Sequence, residues 1–208
     1  MSGHDNIAVR RGARRAARIP CRAAAHGRDD AAGEGRILSG FEEEYERQVE
    51  EARARATARG RGDVLDYIHL KTANDRLRAR AVAWLLDTFT ALAGELNRAG
   101  AGLALVRTEA HRFRVGHSTM VGARLALSRG LRSLTVEAGW PRAPRDGIVR
   151  GGGLASARVA HFGNPKAGEE LLLLPSNEEP RWFVVEESGA RAELAEERLR
   201  RHVVRLLD

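Results

Sequence analysis

The chain has 208 residues, 43% hydrophobic and 30% charged, a composition that fits one core with an arm or tail and is short for two independent enzyme domains. No apolar run approaches the roughly 18 residues that a membrane span needs, so a soluble chain with no membrane partner is expected. The single cysteine, Cys21, excludes an intramolecular disulfide and removes any need for an oxidising compartment, which leaves a cytoplasmic location as the expectation.

The formal charge is +7, and almost all of the positive charge is arginine, since only Lys71 and Lys166 are lysine. A GC-rich coding bias accounts for Arg and Ala rising together, but not for where the charge sits. Residues 1–36 carry 8 Arg against 4 acids, and 37–106 carry 10 bases against 11 acids. Residues 107–166 carry 11 bases against 3 acids, whereas 167–208 carry 6 against 10. The scarcity of acids in 107–166 points to a polyanionic partner for that segment.

In chain order, residues 1–36 are polar and Arg/Ala/Gly-rich without a sustained apolar face, and read as a disordered basic tail. Residues 37–102 read as a helical hairpin arm. Ser39 is an expected N-cap, with Phe41, Tyr45, Val49, Ala52 and Ala56 at helical spacing until Gly60 and Gly62. Asp63 is an expected second N-cap for a stripe through Val64, Ile68, Leu77, Ala81, Leu85, Phe89, Leu92 and Leu96, imperfect near Lys71–Asp75, where a break is allowed. Its narrow seam and flanking charge suit packing within the monomer or against a second copy, so a homo-oligomer through helices 39–99 is an open expectation.

From Leu103 the apolar period becomes two. Leu103/Leu105, His111/Phe113/Val115, Val121/Ala123/Leu125/Leu127, Leu134/Val136/Ala138 and Ala155/Ala157/Val159 each mark one face of a strand, with a Ser128-Arg129-Gly130 connection favouring antiparallel pairing. Leu171–Leu174 and Trp182–Val185 read as more fully buried strands, and about Ala190 to Leu207 as a terminal helix docking through Leu194, Leu199, Val203, Leu206 and Leu207. The expected fold is α+β: an N-terminal helical hairpin, an antiparallel β-sheet or small barrel of about 6–7 strands in residues 103–208, and a C-terminal helix.

Alternation places Arg112, Arg114, Arg124 and Arg158 opposite the apolar residues of their strands. A shared face of guanidinium forks would suit phosphate oxygens, and a merely solvated face is the plainer alternative. The loop after Trp140 adds Arg142, Arg145 and Arg150 beside Gly151, Gly152 and Gly153, where glycine amides can converge into an anion nest, although a bulge or tight bend explains the glycines equally. With 5% aromatics there is no interleaved stacking platform, so backbone contact is favoured over base reading. Glu137, Asp146 and His161 are candidate acid/base groups near this loop, with no diagnostic spacing. No metal-ligand pattern accompanies His111 and His117, and no cofactor motif is present, so neither a metal nor a cofactor is expected. The resulting expectation is a non-enzymatic, cytosolic protein that binds a polyanion, foremost a nucleic-acid backbone. The alternatives are an oligomeric scaffold acting through the helical hairpin, and an enzyme acting on an anionic small molecule or nucleotide at residues 140–161.

Overall fold

The computed structural model describes residues 29–177, 179–186 and 188–208, with side chains from residue 43 onward. Residues 1–28 of the expected basic tail therefore lie outside the described residues. Helix α1 spans Asp29–Ala58 and α2 spans Gly62–Arg98. α1 thus begins inside the segment read as tail, and Ser39 lies within the helix rather than at its cap. The turn between the helices relies on Gly60, whose φ of 62° suits a residue without a Cβ. Arg61 holds the N-cap position of α2, and Asp63 sits in the first turn with its carboxylate paired to Arg61, not at the cap.

Seven strands follow: β1 Ala104–Val115, β2 Ser118–Arg129, β3 Arg132–Trp140, β4 Ala155–His161, β5 Asn164–Leu174, β6 Arg181–Val185 and β7 Arg191–Glu193. They form one antiparallel sheet in the order β1-β2-β3-β4-β5-β6-β7, so the α+β expectation holds and the sheet is open, not a barrel. Every neighbour in the sheet is also a neighbour in sequence, joined mostly by short connections and, between β3 and β4, by residues 141–154. Helix α3 spans Glu196–Val204, shorter than the helix read from the sequence, because Arg191–Glu193 pairs with β6 as a strand.

One face of the sheet carries the core. Ala123, Leu125 and Leu127 of β2, Leu134 and Val136 of β3, Ala157 and Val159 of β4, and Leu171 and Leu173 of β5 pack against Leu85, Leu86, Phe89 and Leu92 of α2. Leu199 and Val203 of α3 close the same core, as their spacing predicted. The apolar half of α2 is therefore part of the sheet's core. α2 does not break near Lys71–Asp75. The polar residues there form a knot in which the Asp75 carboxylate accepts hydrogen bonds from Tyr45 Oη at 3.0 Å, Lys71 Nζ at 3.1 Å, Arg78 Nη1 at 2.8 Å and Trp140 Nε1 at 3.0 Å. Burial raises the Asp75 carboxyl, but the Arg78 and Lys71 contacts outweigh it and hold the group below its ordinary range. Because Trp140 ends β3, residues 62–74 of α2 project beyond that end of the sheet together with the part of α1 that packs on them.

Candidate polyanion-binding site

Strand β1 is one strand with an irregularity. Thr108 pairs with Arg124 and His111 with Gly122, so two residues of β1, Glu109 and Ala110, stand against one of β2. This is a β-bulge, and Ala110 is the only described non-glycine residue with positive φ, at 47°. An extra residue reverses the side-chain alternation after it. His111, Phe113 and Val115 consequently share the outer face with Gly122, Met120 and Ser118, while Arg112 and Arg114 stand on the helix-facing side opposite Val121 and Thr119.

The expectation of one exposed face bearing Arg112, Arg114, Arg124 and Arg158 is corrected by this bulge. Arg124 and Arg158 do lie on the outer face, but as members of a cross-strand row in which Arg124 pairs with Glu137, Glu137 with Arg158, and Arg158 with Glu170. Glu137 Oε2 accepts from Arg158 Nη2 at 2.5 Å, and His111 Nε2 lies 2.7 Å from Glu137 Oε1. Burial raises the Glu137 carboxyl, yet the hydrogen bonds from His111 and Arg158 prevail and keep it below its ordinary value. Opposite charges on neighbouring strands compensate one another, so this row offers little net field to a polyanion.

The other predicted arginines lie at one end of the sheet, Arg112 and Arg114 on its helix-facing side and Arg145 and Arg150 on the connection that covers the outer face. The connection from Trp140 to Ala155 folds over the outer face at the end where β1 and β2 meet. Ser118 Oγ donates to the Ile148 carbonyl at 2.8 Å and accepts from Ile148 N at 3.2 Å. Gly147, at φ 93°, lies so close that a Cβ there would sit 2.5 Å from Ser118 Oγ. Phe113 and Met120, paired on this outer face, are buried. Within it, Pro144–Asp146 forms a short 3-10 turn closed by Ala143 N, which donates to Asp146 Oδ2 at 3.0 Å. Asp146 is thus a loop-closing residue.

Arg142 stacks on the Trp140 ring with its Cζ 3.9 Å from the centroid. Val121, which pairs with Trp140, also pairs with Arg112, so Arg112 shares the helix-facing side of this sheet end with Trp140 and its stacked guanidinium. Arg114 stands two residues further out, roughly 7 Å along the strand. Arg150 lies over the β1–β2 turn, close enough that a Cβ on Gly116 would be 3.0 Å from its Cζ. Arg112, Arg114, Arg145 and Arg150 are exposed. Across residues 110–121 and 138–154, Asp146 is the only acid against five arginines. Sequence reading missed the Gly116-His117 turn as part of this cluster, although a glycine between two alternating runs signals a hairpin.

Gly151 and Gly152 adopt φ 69° and 73°, and the Gly151 carbonyl accepts from Arg191 Nη2 at 3.0 Å. A Cβ on Gly153 would lie 2.3 Å from Leu172 Cδ1, so the connection packs closely on β5 at that glycine. The candidate acid/base trio is not assembled. Glu137 is on the outer face, Asp146 is in the loop, and His161 faces the helices at the far end of β4, about 20 Å along the strand from the glycine run. His161 is buried, with its Nε2 3.0 Å from His202 Nδ1.

A cleft of ≈ 1340 Å³ separates α1, α2 and β1 beside this sheet end, walled by Val49, Ile68, Val82, Val106 and Trp140. Its rim mixes Glu46, Glu50 and Glu109 with Arg53, Arg76 and Arg107, and so favours neither sign of ligand. Among the described residues no group of three or more His, Cys, Asp or Glu side chains is placed to hold a metal ion, and no helix is long and apolar enough to cross a membrane. No known protein family, no curated protein and no solved structure matches this chain.

Proposed function

We propose that the protein binds a polyanion, a nucleic-acid phosphate backbone, at the end of the sheet formed by the β1–β2 turn and the 141–153 connection. The observation that carries this reading is the placement of Arg112, Arg114, Arg142, Arg145 and Arg150 at one end of the sheet, where residues 110–121 and 138–154 hold Asp146 as their one acid, itself accepting a backbone hydrogen bond, and the nearby Asp75 is taken up by Tyr45, Lys71, Arg78 and Trp140. Guanidinium forks bind phosphate oxygens bidentately. Gly151 and Gly152 are exposed beside Arg150, and without a Cβ their backbone can approach a phosphate closely. Trp140 and Phe113 are buried, so these two rings offer no stacking platform, which favours contact with phosphates over reading of bases.

Fluorescence anisotropy with a labelled duplex, repeated across salt concentrations, tests the reading. Neutralising about five phosphates gives a slope of log K against log[salt] of about −4.5, and each arginine lost reduces it by about 0.9. Arg112→Ala and Arg145→Ala are expected to flatten the slope, whereas Arg124→Ala on the outer-face row leaves it unchanged. Purified, nuclease-treated protein that shows no salt-dependent retention of DNA or RNA would refute the proposal.

A further inference from the structure

α2 carries a second apolar stripe, exposed at Tyr67, Leu70 and Trp84 and half-buried at Leu77 and Ala81, the latter packing against the edge of the core. Tyr67, Leu70, Asn74, Leu77, Ala81 and Trp84 recur with alternating spacings of three and four, the a/d pattern of a coiled-coil seam. At 100° per residue its centre lies roughly 70° around the helix from that of Val82, Leu85, Phe89 and Leu92, which face the core. The other flank meets α1 through Asp75 and His69. Tyr67, Leu70 and Trp84 are 64%, 63% and 49% exposed, more than any other large hydrophobic of α2.

The order of side chains along this stripe is matched to its own reverse. Laid antiparallel on a second copy about a point between Asp75 and Arg76, it sets Tyr67 against the partner's Trp84, Leu70 against the partner's Ala81 and Asn74 against the partner's Leu77. A two-fold interface needs this property, since each residue must meet its counterpart's partner twice, and an unrelated binder does not. Ring meets ring, the long aliphatic meets the small one, and the polar Asn74 falls next to the axis, where such a residue selects register. With residues 62–74 projecting past the sheet, this register sets each arm beside the sheet-covering half of the other α2 and displaces the two sheets along the helix axis. Aromatic side chains bury about 150–250 Å² each, so with Leu70 and Leu77 two copies cover on the order of 1,000 Å², near the lower limit for a specific interface.

We infer that the protein is a two-fold dimer whose interface is this stripe of α2 packed antiparallel on its copy. The inference does not rest on polyanion binding. In the full chain with Cys21→Ser, the pair Leu70→Cys and Ala81→Cys tests it. Within one chain these positions are about 16 Å apart along the helix, beyond disulfide reach, so a bond between them forms only between copies. Mild oxidation is expected to give a covalent dimer from the double variant and none from either single variant. Light scattering of the wild type at tens of micromolar is expected to give twice the 22.8 kDa chain mass. Tyr67→Glu, at an exposed position, is expected to give the chain mass with unchanged circular dichroism. A monomeric wild type, a dimer that persists in Tyr67→Glu, cross-linking by Leu70→Cys alone, or no cross-link in the double variant overturns the inference.

Discussion

Glu169, His202 and His161 form a hydrogen-bonded chain that ties α3 to the end of β4 and the middle of β5. His202 Nε2 donates to Glu169 Oε2 at 3.2 Å, and Arg198 Nε donates to the same carboxylate at 2.9 Å. Burial, with His202 and Arg205 nearby, lowers the His161 pKa to about 4. Glu169 is lowered to about 2, because its bonds from His202 and Arg198 outweigh its burial. Folded His161 therefore stays neutral while the unfolded chain takes up a proton below about 6.5, so stability present above that pH is lost as pH falls towards 4. Glu169 adds a further loss between its ordinary range and about 2. Thermal melts should lose about 2–3 kcal/mol between pH 6.5 and 4. His161→Gln should flatten that slope and leave only the loss at lower pH; an unchanged slope in the variant would remove His161 as its origin. The histidine that looked like a catalytic candidate is thus a buried packing residue whose chemistry shows in stability.

At the level of the element, the bulge in β1 decides which side of the sheet each arginine occupies. Ala110 bears a φ of 47°, which a Cβ disfavours by roughly 1 kcal/mol. Ala110→Gly is expected to be neutral or stabilising by up to about 1 kcal/mol in urea unfolding, and Ala110→Val destabilising by more than that. Beside the bulge, Gly122 and Gly139 face each other across β2 and β3, and a Cβ on Gly122 would lie 1.9 Å from the Ala138 carbonyl oxygen. Backbone cannot yield as a flexible side chain can. Gly122→Ala should cost about 2–3 kcal/mol, and a midpoint unchanged from wild type would contradict the close pairing of these strands.

Across the whole molecule, helices and sheet share one hydrophobic core, since the most buried side chains of α2 touch those of β2 to β5 and α3. Such a shared core is expected to give a single unfolding transition. Far-UV circular dichroism, which follows the helices, and tryptophan fluorescence, which follows the buried Trp140 and Trp182, should report the same urea midpoint. Phe89→Ala, at a fully buried position, should move both midpoints together by the equivalent of about 3–5 kcal/mol. Two separate transitions would mean that the helical arm and the sheet are independent units. Charge is uneven on the same scale, since residues 107–166 carry 11 bases against 3 acids and 167–208 carry 6 against 10.

The amino-acid sequence by itself determined the class and order of the elements, because those depend on local periodicity. Spacings of three and four in residues 41–96 and of two after Leu103 were enough to give two helices, an antiparallel meander and a docked C-terminal helix. It also located the basic segment, since charge is counted, not folded. The side of the sheet that each arginine occupies was decided by tertiary structure alone. Alternation carries parity along a strand only while the register is unbroken, and a single unpaired residue at Glu109–Ala110, with no glycine to mark it, reversed that parity for Arg112 and Arg114. The same holds for Lys71–Asp75, a defect in a one-dimensional apolar stripe that becomes a satisfied polar knot once Tyr45 and Trp140 arrive from other elements. Closure was equally out of reach, because strand spacing sets pairing between neighbours, whereas the gap between β1 and β7 depends on the accumulated twist of all seven strands and on the helices that cover one face.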